Sequence, residues 1–100
     1  MYVYTIETNA GTVGLVSSRQ EAYGMAMQIL EEYTAGTDLL PVVRGTSTPV
    51  IATADVLNRQ ILDHKEVYAD IASMDYDKFV AIKRWKVIQR KRVPSELTEE

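Results

Sequence analysis

One hundred residues are the length of a single domain. With 46% hydrophobic and 25% charged residues the composition is globular with material for one core, and zero cysteines exclude disulfides, thiolate chemistry and cysteine-ligated metals. The net charge of −3 hides a division: residues 1–77 carry four Lys/Arg against eleven Asp/Glu, residues 78–95 carry seven basic side chains and no acid, and the last five residues hold Glu96, Glu99 and Glu100.

Residues 2–16 read as a β-hairpin, because Tyr2, Tyr4 and Ile6 alternate with Val3, Thr5 and Glu7, and β-branched and aromatic types dominate. Asn9-Ala10-Gly11-Thr12 supplies the turn. Pairing Thr8 with Val13 sets Ile6 opposite Leu15 and gathers Tyr4, Ile6, Val13 and Leu15 on one face, so this register is the expected one. Ser18-Arg19-Gln20-Glu21 is a capping box that opens a helix. Its apolar stripe is Ala22, Met25, Ala26, Ile29 and Tyr33, with Tyr23 and Leu30 at the edge and Gly36 as the left-handed stop.

Leu39–Arg44 reads as a short strand with Pro41 at an edge or entry position, residues 45–49 as a turn or exposed loop, and Val50-Ile51 as a returning strand. A second helix starts either at Thr48, with Pro49 in its first turn, or at Thr53. The second is preferred because the stripe Ala54, Leu57, Ile61, Tyr68, Ile71 begins there. That stripe weakens at His64-Lys65, which places a break before Val67, and residues 73–77 read as a loop. Phe79–Gln89 reads as a strand with a β-bulge near Lys83-Arg84, ended by Val93-Pro94. The fold class expected is therefore α+β: an antiparallel sheet made of the N-terminal hairpin, a middle strand or hairpin and a C-terminal strand, packed on two helices. One domain spans 1–95, and 96–100 forms an acidic tail.

The N-terminus MYVYTIET has no basic region or long apolar run, and no stretch approaches about 18 apolar residues. The expectation is a cytoplasmic chain with no membrane contact. Its five glycines lie singly, outside any phosphate-binding spacing, and His64 is the only histidine. The carboxylate pairs Glu31-Glu32 and Asp75/Asp77 have no base or nucleophile placed beside them, and Ser17, Ser18 and Ser47 have no readable activating partner. No enzyme, metal or cofactor is expected.

The segment Lys78–Arg92 carries the candidate site. In one reading Lys83, Arg84, Lys86, Arg90, Lys91 and Arg92 contact phosphates while Trp85 or Tyr76 stacks on a base. In the other, Trp85 is core and the lysines form a solvated face that guards a strand edge. The acidity of the whole chain favours the second, and the exposure of Trp85 decides between them.

The stretches VYTIETNAGTVGLVSSRQEAYGMAMQIL and FVAIKRWKVI resemble small accessory proteins of bacteriophages and mobile elements, over roughly the first third of the chain plus the closing strand. The resemblance implies a hairpin, a capped helix and a closing strand, and an accessory role in binding a host protein or defence complex. It transfers no functional residue. The leading expectation is a non-enzymatic binding protein whose contact surface joins strand 78–92 to loop 45–49 or to the acidic face of the first helix. A nucleic-acid-binding protein is the alternative, and a homodimer joined through edge strands is the third.

Overall fold

The computed structural model describes residues 1–72 and 78–88. The elements are β1 (Tyr2–Thr8), β2 (Gly11–Val16), α1 (Arg19–Thr34), β3 (Val42–Val43), α2 (Ala54–Asp63), β4 (Glu66–Ile71) and β5 (Lys78–Lys86). They form an α+β fold in which the sheet runs β2-β1-β5-β4-β3 and every neighbouring pair is antiparallel. Both helices lie on one side of it. Tyr4 and Ile6 of β1, Val67, Ala69 and Ile71 of β4, and Val80 and Ile82 of β5 meet Ala22, Ala26 and Leu30 of α1 and Leu57 and Ile61 of α2 in one core. The other side of the sheet carries no helix among the described residues.

Local chemistry explains both helix starts. The Ser18 hydroxyl accepts the Glu21 N–H at 3.0 Å and donates to the Glu21 carboxylate at 3.1 Å. Thr53 accepts the Val56 N–H at 3.3 Å, so the second helix begins at the preferred cap, and Gly36 takes φ +74 after α1. The phase of α1 differs slightly from expectation: Leu30 is fully buried at the centre of the stripe, whereas Met25, Ile29 and Tyr33 flank it.

Three sequence expectations are corrected. Ile6 pairs with Gly14 and Thr5 with Leu15, with a register shift between Ile6 and Glu7. Val13 and Leu15 are therefore exposed and do not join Tyr4 and Ile6. The reason is Met25: a Cβ added to Gly14 would lie 2.5 Å from its Sδ, so the helix side chain fills the space above the glycine. Second, α2 ends at Asp63 and Glu66–Ile71 is a strand, so Tyr68 and Ile71 do not extend its stripe. Third, β5 pairs residue for residue with β1 from Val80 to Lys86 and with β4 from Lys78 to Lys83, with no bulge at Lys83-Arg84. Its alternation looks imperfect in sequence because the central strand buries Val80, Ala81 and Ile82 in succession.

The middle hairpin is short. Val43 donates to the Val50 carbonyl at 2.8 Å, Ala52 to the Pro41 carbonyl at 2.9 Å, and Val42 bridges Ile51. β5 ends at Lys86, short of the expected Gln89, with Val87 and Ile88 outside the strand. The loop expected at 73–77 and the acidic tail lie outside the described residues. No helix among the described residues is long and apolar enough to cross a membrane.

Candidate binding face

Strand alternation and register together fix what the helix-free face presents. Ile6, Val80 and Ile82 point into the core, so their neighbours Thr5, Glu7, Phe79, Ala81, Lys83 and Trp85 point away from the helices. Reading across the strands, Val3 stands beside Trp85; Leu15, Thr5, Lys83 and Glu66 form the next row; then Glu7, Ala81 and Tyr68; then Phe79, Asp70 and Val42.

The charges on this face are largely matched within it. Arg44 holds Asp70 through two parallel bonds, Nε to Oδ2 at 2.9 Å and Nη2 to Oδ1 at 2.6 Å. Its guanidinium also lies 4.2 Å from the Tyr68 ring centre and 5.5 Å from that of Phe79. The bond to Asp70 raises the Arg44 pKa, with burial opposing it. Lys83 Nζ is 3.1 Å from Glu7 Oε1 and 5.8 Å from the Tyr68 ring centre. Donating hydrogen bonds to Glu7 and then to Tyr68 raises its pKa. Between Glu7 and Tyr68 in the same row sits Ala81, which is fully buried although it points outward. Cations and rings thus roof the middle of a sheet face that no helix among the described residues covers.

Beside this roofed zone the face is apolar and open. Trp85 is 52% exposed, and Leu15 68%. The indole Nε1 donates to Thr5 Oγ1 at 2.9 Å, and Thr5 is the cross-strand partner of Leu15, so tryptophan and leucine flank one threonine. The indole N–H is satisfied and its orientation fixed, while half of the side chain remains exposed.

A trough of about 450 Å³ adjoins Trp85, lined by Tyr2, Lys65, Glu66, Lys83, Arg84, Trp85 and Lys86. Arg84 is engaged there: it donates to the Ile61 carbonyl at 3.2 Å and its guanidinium lies 4.6 Å from the Tyr2 ring centre. Lys65 and Lys86 make no ion pair with other described residues.

No protein-family model, curated protein or solved structure matches this chain. The site therefore rests on its own geometry. Of the sequence candidates, Lys83, Arg84, Trp85 and Lys86 come together around the end of β5, while Arg90, Lys91 and Arg92, like Tyr76, lie outside the described residues. Trp85 is not core, contrary to the reading that made this segment scaffold. The acidic side chains Glu21, Glu31 and Glu32 sit on α1, in the layer on the other side of the sheet, and loop 45–49 follows β3, with β4 between it and β5. Gly45 of that loop lines a second depression with Glu66, which also lines the trough beside Trp85. His64 ends α2, exposed, its N–H bonded to the Gln60 carbonyl at 2.8 Å. Sequence reasoning missed Val3, Leu15, Arg44, Tyr68 and Asp70. The alternation of Val67, Ala69 and Ile71 was the signal that would have turned Tyr68 and Asp70 outward.

Proposed function

We propose that the protein is a non-enzymatic binding module that engages a protein partner through the helix-free face of its sheet. The observation that carries this reading is Trp85, half exposed and held flanking Thr5 opposite Leu15. Protein interfaces favour such a centre, an aromatic anchor with apolar neighbours and charge kept to the rim. A host or defence macromolecule is the kind of partner that the resemblance to phage accessory proteins implies. Affinity capture tests the reading: a partner retained by the wild type should be lost with Trp85→Ala and kept with Gln28→Ala, an exposed position on α1. Equal retention by both variants refutes it.

The nucleic-acid alternative draws on a separate observation, that Lys65 and Lys86 beside Trp85 have no ion-pair partner among the described residues. Phosphate-tracking surfaces need several free cations, and binding then falls steeply as salt rises. Here Lys83 and Arg44 are committed to Glu7 and Asp70, which favours the protein partner. Mobility shift with short single-stranded RNA and DNA separates the two. A shift at low salt that is abolished by Lys65→Glu with Lys86→Glu supports the alternative, and no shift at low salt removes it.

A further inference from the structure

The two edges of the sheet are finished differently. At the β3 edge the strand has only two residues, and the returning segment covers it through Val43 N–H to Val50 O and Ala52 N–H to Pro41 O. Pro41 and Pro49 flank it. These are the usual means by which an edge is kept from pairing with another chain. At the other edge β2 runs six residues, Gly11–Val16, and bonds only to β1 among the described residues. It has no proline and no lysine, and the whole stretch from Asn9 to Ser18 is uncharged in a chain that is 25% charged. The irregularity before Gly14, where Val13 is left without a partner, disturbs the end of β2 near the turn and leaves Gly14–Val16 in regular register. Leu15 lies at the centre of that regular segment and points outward.

We propose that β2 is the interface of a homodimer, with the Gly14–Val16 segments of two copies pairing antiparallel about a two-fold axis at Leu15. An uncharged strand is self-complementary, because a two-fold axis sets like residues near like and would penalise any charged one. The pairing joins two five-stranded sheets edge to edge, satisfies the outward N–H and C=O groups of β2, and brings both copies of Leu15 together on the helix-free side. Trp85, two strands further in, stays open in each copy.

Light scattering over a wide concentration range tests this. The mass should rise toward twice 11.3 kDa, return to 11.3 kDa with Leu15→Lys, and remain doubled with Ile51→Lys at the opposite edge and with Trp85→Ala. Leu15 is an exposed position, so its lysine variant should keep the wild-type circular dichroism spectrum. The natural chain lacks cysteine, so Leu15→Cys supplies a second measurement. Residues directly opposite in an antiparallel pair stand about 4.5–5.5 Å apart at Cα, within disulfide reach, and mild oxidation should link the copies covalently. A mass of 11.3 kDa at every concentration overturns the proposal. So does a dimer that survives Leu15→Lys, or one in which Leu15→Cys fails to cross-link.

Discussion

Gly14 shows how one absent side chain sets the geometry of the hairpin. Beta carbons crowd Met25 if one is added there, and Ile6 Cδ1 would stand 3.4 Å away. The nearer atoms belong to the flexible end of Met25, so Gly14→Ala should cost no more than about 1 kcal/mol, while Gly14→Val should cost about 1–3 kcal/mol as an overpacked site. Met25→Ala in the same chain should recover part of the valine loss, a coupling that urea denaturation of the double-mutant cycle would measure. Additive losses would mean that the register is held by something other than this contact. Lys83 offers a second residue-scale test. Its pKa is raised above the ordinary 10.5 by the hydrogen bond it donates to Glu7 and then by the one it donates to Tyr68. A cation with a raised folded pKa stabilises fully below its unfolded value and loses that contribution as pH climbs through the folded one. The stability difference between wild type and Lys83→Met should therefore be level from neutrality to about pH 10 and shrink above it. A difference that changes near neutrality would assign the effect to another group.

Elements differ in how far their own residues determine them. Ser18 and Thr53 fix the starts of α1 and α2 through bonds within three residues, and both were readable because nothing distant is required. The paired alternation of Tyr4 and Ile6 was readable for the same reason. The register of β2 was not, since it depends on Met25 from a later helix. Nor was β4, where Tyr68 and Ile71 lie near the helical spacing from Ile61 while Val67, Ala69 and Ile71 also satisfy a strand. The reversal between Asp63 and Glu66 chooses between these periods. Trp85 was undecidable from sequence, because its exposure depends on which side of the sheet both helices choose. The phase of α2 can be checked directly. Ile61 is fully buried and Leu62, its neighbour, is half exposed. Ile61→Ala should cost about 2–5 kcal/mol, and Leu62→Ala about 0.5 kcal/mol or less, read as midpoint shifts in urea at unchanged slope. Equal losses would rotate the helix away from the described packing.

At the scale of the whole molecule, the opposed charges of the sequence are partly reconciled by cross-strand neighbours, Lys83 with Glu7 and Arg44 with Asp70. What remains is uneven. The chain carries a net charge of −3, yet Trp85 stands beside a trough lined by Lys65, Lys83, Arg84 and Lys86 with Glu66 as its single acid. The potential at the indole should therefore have the opposite sign to that of the protein as a whole. Because Trp85 is the only tryptophan, its fluorescence reports that potential without labelling. Iodide should quench it more strongly than caesium at low ionic strength, since the local cations concentrate the anion around a half-exposed ring. The advantage should fade as the screening length falls to about 10 Å near 0.1 M salt. Lys65→Glu with Lys86→Glu should reverse the preference while leaving quenching by neutral acrylamide unchanged, because exposure is not altered. Stronger quenching by caesium in the wild type would mean that the acidic remainder of the chain dominates at Trp85. In that case the trough would have no charge complementarity to offer an anion, and the helix-free face would act through its apolar contacts alone.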